Sequence, residues 1–378
     1  MRVVHVCVAG TQPLLSRDGG AIQRRIMELG KAQAALGHDV LAISAGPADH
    51  ESIIEGVRVR IIRCLAPMPW RHVEYLARVS TLVGRSHPDV LNFHGQPEGS
   101  LLARLRDLPS ALLYDNFVFS ASRYPGTHGL YRRLFAAFDL LLPCSVYCQQ
   151  ESASYWDLDA SAMRVQYNGV NLAQFRPDPD GGAQEKERLG IEGLVALYVG
   201  RVNPQKGTDL LLRSWAEVRS GVPNATLVIA GPIGQFGTPA RAATEAAWRS
   251  RIEEVGGRYL GSVDEGRLAT TYNIADVFVM PTRAFEMFGM AAVEAQACGI
   301  PTVASDHGGL RETVPRGCGG RFAAGDAGAL AEELIRVLSD ADLRRMQSRA
   351  AVENAARFSW ERVTQDLEQA YRGVGIHG

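Results

Sequence analysis

Two glutamates, Glu286 and Glu294, lie eight residues apart in the segment Pro281-Thr-Arg-Ala-Phe-Glu-Met-Phe-Gly-Met-Ala-Ala-Val-Glu294. They straddle the start of an apolar helical pattern, along which eight residues span about 12 Å. Carboxylates that flank one glycosidic bond sit ~5–9.5 Å apart. This pair is therefore better suited to gripping hydroxyls at two ends of a long ligand. Glu294 falls inside an otherwise apolar helix, where a carboxylate is costly unless hydrogen-bonded. Gly289 at the helix start lets backbone donors come close to a phosphate or sugar.

A second arrangement, Gly200-Arg201-Val202-Asn203-Pro204-Gln205-Lys206-Gly207, directly follows an apolar run and precedes a helical one. Arg201 offers a planar fork of donors. Lys206 is one of only three lysines among 40 basic residues, with Lys31 and Lys186. Two cations at a strand end are poised to hold a diphosphate. Near the amino terminus, Gly19-Gly20 precede a helix and would admit an anion to its first N–H groups, although the pair is not a dinucleotide fingerprint.

Metal chemistry finds little purchase. Asp157-Leu158-Asp159 is an Asp-x-Asp sequence, but it lies in a polar stretch and not at the end of an apolar strand. Asp178 and Asp180 read as linker. The six cysteines have no Cys-x-x-Cys spacing and read as free buried thiols of a reducing cytosol. No metal and no cofactor is expected.

The elements that position these groups alternate. In the first half, strands are expected at Val3–Ala9, Val40–Ser44, Val57–Arg63, Val90–Phe93, Ala111–Tyr114, Leu140–Pro143 and Arg164–Tyr167, with helices such as Ala21–Leu36 and Ser100–Arg106 between them. Phe175–Lys186 has linker chemistry. Strands then resume at Val195–Val199, Thr226–Ala230, Arg258–Leu260, Val277–Met280 and Thr302–Ala304. Helices are expected at Thr208–Arg219, Ala240–Glu254, Glu265–Asn273, Met290–Cys298 and Ala327–Leu338. Nearly continuous apolar strands separated by helices predict buried parallel sheets. The expected architecture is α/β, with two Rossmann-like doubly wound domains over residues 1–175 and 176–357. A final stretch, residues 358–378, would return to the first domain. Ligands should then lie beyond the carboxyl ends of the strands, in a cleft between the domains.

A length of 378 residues suits two domains, and a net charge of -1 argues against nucleic acid as a partner. No run approaches 18 apolar residues, so no transmembrane segment is expected, and Met1–Gly10 reads as a first strand rather than a signal peptide. The expected location is cytoplasmic. The oligomeric state is not legible.

Taken in order, these motifs resemble glycosyltransferase family 4: Gly19-Gly20, Asn168-Gly169-Val170, Gly200-Arg201 with Lys206-Gly207, the pair Glu286/Glu294, Gly308-Gly309 with Glu312, and Phe358-Ser359-Trp360. The resemblance covers essentially the whole chain. It implies the two-domain GT-B fold and transfer with retained anomeric configuration, commonly without a metal. Arg201 and Lys206 would stabilise the leaving diphosphate. Glu286 would contact donor-sugar hydroxyls, Glu294 the ribose, and the backbone N–H groups of Phe288, Gly289 and Met290 would add contacts to sugar and phosphate. The donor β-phosphate would serve as base, which accounts for the lack of an obvious nucleophile.

On the acceptor side the family often places a histidine after the strand that here ends Tyr114-Asp115-Asn116, and this chain has none there. His94, one strand earlier, either faces the acceptor or is an ordinary strand-end histidine. Carboxylates at Glu98 and Asp115, beside Asn116, would suit a cationic acceptor. The wording around Glu286–Gly299 and Ser305–Gly309 looks like the branch acting on aminocyclitols such as 2-deoxystreptamine in aminoglycoside biosynthesis, with UDP-GlcNAc or UDP-glucose as donor. Two rivals stand beside this: a family member in peripheral contact with a membrane and acting on a lipid or polysaccharide acceptor, for which Arg123–Phe135 is the basic candidate, and a UDP-GlcNAc 2-epimerase-like enzyme.

Overall fold

The computed structural model describes residues 1–7, 13–14, 21–66, 70–114, 126–235, 238–239, 242–284 and 286–376. Four expected site residues, Gly19, Gly20, Asp115 and Asn116, lie outside the described residues. The chain divides into two units, one of residues 1–169 with 360–378, the other of residues 170–359. The division falls six residues before the expected boundary because Val170 bonds to Phe358 within the second unit.

The first unit is built on seven strands: β1 (Arg2–Cys7), β2 (Asp39–Gly46), β3 (His50–Ile54), β4 (Val57–Arg63), β5 (Val90–His94), β6 (Ser110–Tyr114) and β7 (Leu140–Pro143). Their order is β3-β4-β2-β1-β5-β6-β7. All neighbours are parallel except β3, an antiparallel edge strand on β4. The central strands are apolar on both faces because helices cover both, and β5 and β6 are buried at every residue. Arg164–Tyr167 is not a strand. It runs beside β7, giving N–H bonds from Arg164 and Gln166 to Leu141 and Pro143, and it pairs only through an isolated bridge at Met163.

Helix Trp360–Gly373 belongs to this unit. Its buried residues Trp360, Val363, Thr364, Leu367, Glu368, Ala370 and Tyr371 follow the 3.6-residue repeat of a helix with one face inward. That face packs with Val3, Val90, Leu113 and Leu142 from the sheet.

The second unit holds β8 (Leu194–Val199), β9 (Ala225–Ala230), the short hairpin β10 (Gly234–Gln235) and β11 (Thr238–Pro239), then β12 (Arg258–Gly261), β13 (Val277–Met280), β14 (Thr302–Ser305) and β15 (Gly319–Phe322). Its main sheet has the order β12-β9-β8-β13-β14-β15 and is wholly parallel. Trp215, Leu227, Ile229, Val277 and Leu334 sit in its core. The stretch expected as linker contains a helix, Pro179–Arg188. Asp178 caps it by accepting from Gly181 N, and Pro179 supplies the preset φ of a first helical residue.

Each main sheet has one place where the strand order reverses. In the first it lies between β1 and β5, in the second between β8 and β13. Open α/β sheets bind ligands at such points, beyond the carboxyl ends of the strands.

Candidate active site

Two loops leave the second sheet at its reversal point. One follows β8 and carries Arg201 and Lys206. The other follows β13 and carries Glu286. They are stitched together by backbone: Gln205 O accepts from Arg283 N at 3.0 Å and from Ala284 N at 3.1 Å. Gly207, with φ +74°, closes the first loop in the left-handed region, and a Cβ there would fall 1.7 Å from Pro281 O. Only glycine fits that crossing. Gly207→Ala is expected to lower stability by roughly 2 kcal/mol or more. A shift in the thermal midpoint checks this, and an unchanged midpoint would contradict the crossing.

Asn203 sets the approach of Lys206. Its Oδ1 accepts from Lys206 N at 2.9 Å, and its Nδ2 donates to Gly234 O at 2.9 Å. The stitched loops then bring Lys206 Nζ within 2.7 Å of Glu286 Oε2, across 80 positions of sequence. The lysine side chain keeps 36% of its exposure and the glutamate 14%, so this pair lies at the surface of the site and can be opened by a ligand. Arg201 is half-buried on the same loop, with its carbonyl accepting from Tyr198 OH at 2.6 Å. Burial pulls the guanidinium pKa down, but from so high an ordinary value that the cation persists near neutrality.

The Glu286 loop is pressed onto the turn at Gly308-Gly309. Gly309 N donates to Glu286 O at 2.8 Å, and Thr313 Oγ1 donates to Phe288 O at 2.9 Å. The Phe288 ring packs edge-on against Phe358 with centroids 5.4 Å apart, so only its backbone is placed to meet a ligand. Gly289 has φ +87° and heads helix Met290–Ala297, and a Cβ there would meet Leu310 at 2.5 Å. Glu294 is buried in that helix and accepts from Tyr272 OH at 2.8 Å, which meets the hydrogen-bonding requirement of a carboxylate in an apolar helix.

The second unit thus brings Arg201, Lys206, Glu286, Phe288, Gly289, Met290 and Glu294 onto adjacent loops and one helix. Sequence reasoning missed Asn203, which ties the nearby Lys206 to the distant Gly234, and Tyr272, whose partner Glu294 lies 22 positions on. An Asn-Pro pair opening the turn was the one available signal for Asn203.

In the first unit His94 is the last residue of β5 and stands in register with Cys7, the last of β1, at the reversal point. It is fully buried, and its Nε2 lies 2.9 Å from His5 Nδ1. Glu98 sits just before helix Gly99–Arg106, and its carboxylate accepts from Tyr131 OH at 2.7 Å. Asp157 and Asp159 have local work. Asp157 adopts φ +52° at the end of helix Val146–Trp156 and pairs with Arg132, while Asp159 accepts from Ser161 N and Oγ. Among the described residues no three His, Cys, Asp or Glu side chains gather as metal ligands. Also among them, no helix is long and apolar enough to cross a membrane. All six cysteines are buried and unbridged.

Comparison with known proteins agrees with this geometry. Residues 183–354 match the family model "Glycosyl transferases group 1", and residues 19–174 match "Glycosyltransferase Family 4". D-inositol 3-phosphate glycosyltransferase of Mycobacterium leprae is 36% identical over 223 residues, which is 57% of this chain and 50% of the relative. The enzyme of the same name from Segniliparus rotundus is 32% identical over 221 residues, 58% of this chain and 49% of the relative. The chain therefore spans about half the length of these curated relatives. Sucrose-phosphate synthase from Thermosynechococcus elongatus has the same fold, with a TM-score of 0.82 at 22% identity over 99% of both chains. Anabaena HepE, solved in complex with UDP and glucose, gives 0.79 at 18% over 98% of this chain and 99% of its own. With two parallel-sheet units on the GT-B plan, and a family match over each, the chain belongs to the family 4, group 1 glycosyltransferases.

Proposed function

We propose that the chain is a retaining hexosyltransferase. It moves a sugar from a nucleotide-sugar donor, UDP-GlcNAc or UDP-glucose, to a hydroxyl of a small polyhydroxylated acceptor, an aminocyclitol such as 2-deoxystreptamine. The observation that carries this reading is the Lys206–Glu286 pair, 2.7 Å apart beside Arg201 at the reversal point of the second sheet. A nucleotide diphosphate entering there meets two cations, and its oxygens compete with Glu286 for Lys206. Glu286 is then released toward the hydroxyls of the donor sugar, while Glu294 takes the ribose hydroxyls.

Negative charge grows on the diphosphate as the glycosidic bond breaks. Fixed cations aimed at it stabilise the transition state more than the ground state. The departing β-phosphate takes the proton of the acceptor hydroxyl on the same face of the sugar, which retains configuration without a protein nucleophile. The first unit recognises the acceptor, through His94 and Glu98 with Asp115 and Asn116. A cyclitol acceptor draws support from the relatives named for inositol 3-phosphate, and a uridine donor from the Anabaena protein.

The test is a donor-by-acceptor screen by mass spectrometry, with UDP-GlcNAc and UDP-glucose against 2-deoxystreptamine and other aminocyclitols, run in EDTA. Transfer in EDTA is expected. Strict metal dependence would return attention to Asp157 and Asp159. Epimerisation of UDP-GlcNAc without an acceptor would replace the reading by a 2-epimerase. One surface favours a lipid-linked acceptor instead. Leu101, Leu105 and Leu130 are exposed on helices Gly99–Arg106 and His128–Phe135, among Arg104, Arg132 and Arg133. Flotation with anionic vesicles, together with transfer only to lipid-linked hydroxyls, would move the assignment there.

A further inference from the structure

The carboxyl end of β5 carries hydrogen-bonding capacity that the first unit leaves unused. His94 Nδ1 is buried without a partner, as are Arg25 Nε and both polar side-chain atoms of Gln96. Leu113 O accepts from Gly95 N at 2.9 Å and from Arg25 Nη2 at 3.2 Å, which brings the guanidinium beside the end of this strand. Arg25 Nη1 donates to Asn168 Oδ1 at 3.1 Å, a neutral acceptor. Leaving such groups unmet costs roughly 1–3 kcal/mol each.

The position of every proton in this network follows from one carboxylate. Glu368 can only accept. Gln33 Nε2 lies 3.2 Å from its Oε1, so the Gln33 amide presents its NH2 to Glu368 and its oxygen to His5. That oxygen also only accepts, so His5 Nε2, 2.7 Å away, bears the proton. Burial brings the His5 pKa down to about 4, so the ring is neutral and its Nδ1 is a bare lone pair. His94 Nε2, at 2.9 Å, therefore donates to it. Burial, with the nearby charge of Arg25, keeps His94 neutral as well. Its single proton sits on Nε2, and its Nδ1 is an acceptor.

We propose that Glu368, Gln33 and His5 are positioning residues that hold His94 in the Nε2–H tautomer, so that His94 Nδ1 accepts a hydrogen bond from a hydroxyl of a sugar or cyclitol ligand at the carboxyl end of β5. A hydroxyl is singled out because it can donate to Nδ1 and accept from Arg25 Nε–H together. A phosphate dianion has no proton for Nδ1, and an ammonium has no lone pair for Arg25. An aminocyclitol would accordingly turn a hydroxyl-bearing edge, not an amine, toward His94. This inference rests on the reading of the first unit as the acceptor side.

The experiment uses the full chain labelled with 15N-histidine, with the His94 signals identified by their loss in His94→Asn. Long-range proton–nitrogen spectra of the free protein are expected to show Nε2 protonated and Nδ1 bare. In Gln33→Met, His5 loses its acceptor, and the His94 proton is expected to redistribute between the two nitrogens. Millimolar myo-inositol, a cyclitol with hydroxyls only, is expected to move the Nδ1 resonance. A protonated Nδ1 in the unmodified chain overturns the proposal whether or not Gln33→Met folds. So does a His94 tautomer that ignores Gln33→Met, or an Nδ1 signal that myo-inositol leaves in place. None of these readings requires transfer activity, so a failed donor screen and a failed relay remain distinct results.

Discussion

Lys206→Ala is expected to cut kcat/KM for sugar transfer by on the order of 10²–10³-fold, the scale seen when one preorganised transition-state contact is removed. The fold should persist, because a part-exposed ion pair contributes at most ~1 kcal/mol to stability. Two effects could lie behind the loss, and they separate cleanly. The variant removes a cation from the diphosphate site, and it strands Glu286, whose side chain is 14% exposed, without its counter-charge. If the stranded carboxylate were the cause, Lys206→Ala would cost little in a Glu286→Gln background, where no carboxylate is left to strand. If the missing cation is the cause, Lys206→Ala costs as much in that background as in the unmodified chain. Steady-state kinetics on the four proteins of this cycle decide between them, and near-normal turnover in Lys206→Ala would remove the diphosphate assignment.

Arg201→Ala is expected to lose on the order of ten- to a hundredfold, the scale of one charge-assisted hydrogen bond. Most of the loss should fall on kcat, because the charge that Arg201 meets grows as the bond to the diphosphate breaks. Arg201→Lys keeps the charge but not the planar fork, and should lie between the two. The backbone is spared in both variants, since the bond from Tyr198 OH goes to the Arg201 carbonyl. A loss confined to KM would make Arg201 a contact for ground-state binding only.

Apolar runs with clear ends were legible in both units, and strands Val57–Arg63, Leu140–Pro143 and Val277–Met280 and helix Glu265–Asn273 are found at their expected limits. Strand β15 escaped notice because Gly319-Gly320-Arg321-Phe322 has almost no strand propensity, and tertiary pairing with β14 makes it one. Strand β3 escaped because an edge strand reading His-Glu-Ser-Ile-Ile needs no apolar face on its open side. The linker reading of Phe175–Lys186 mistook a helix-start signal, aspartate then proline, for a turn signal, since both use the same residues, and helix Pro179–Arg188 begins inside it. For the site, residue types at strand ends announced Arg201, Lys206 and Glu286 singly. Their pairing did not show, because nothing local relates positions 206 and 286; the bridge is built by Gln205 O meeting Arg283 and Ala284. The relay from Glu368 to His94 was invisible for the same reason, as it joins four separate elements.

The return of helix Trp360–Gly373 to the first unit has a consequence for biosynthesis. On the ribosome, residues 1–169 emerge early, but the sheet face formed by Val90, Leu113, Leu140 and Leu142 waits for Trp360, Leu367 and Tyr371 to cover it. All of residues 170–359 must be translated first, a delay of roughly 10–40 s at ordinary rates of synthesis. The later-made unit can therefore complete its core before the earlier-made one. During that interval the nascent chain shows an apolar sheet face that a holding chaperone would recognise. Release of a chain stopped before residue 360 would leave that face open permanently, so premature termination yields an aggregating product rather than a working first half.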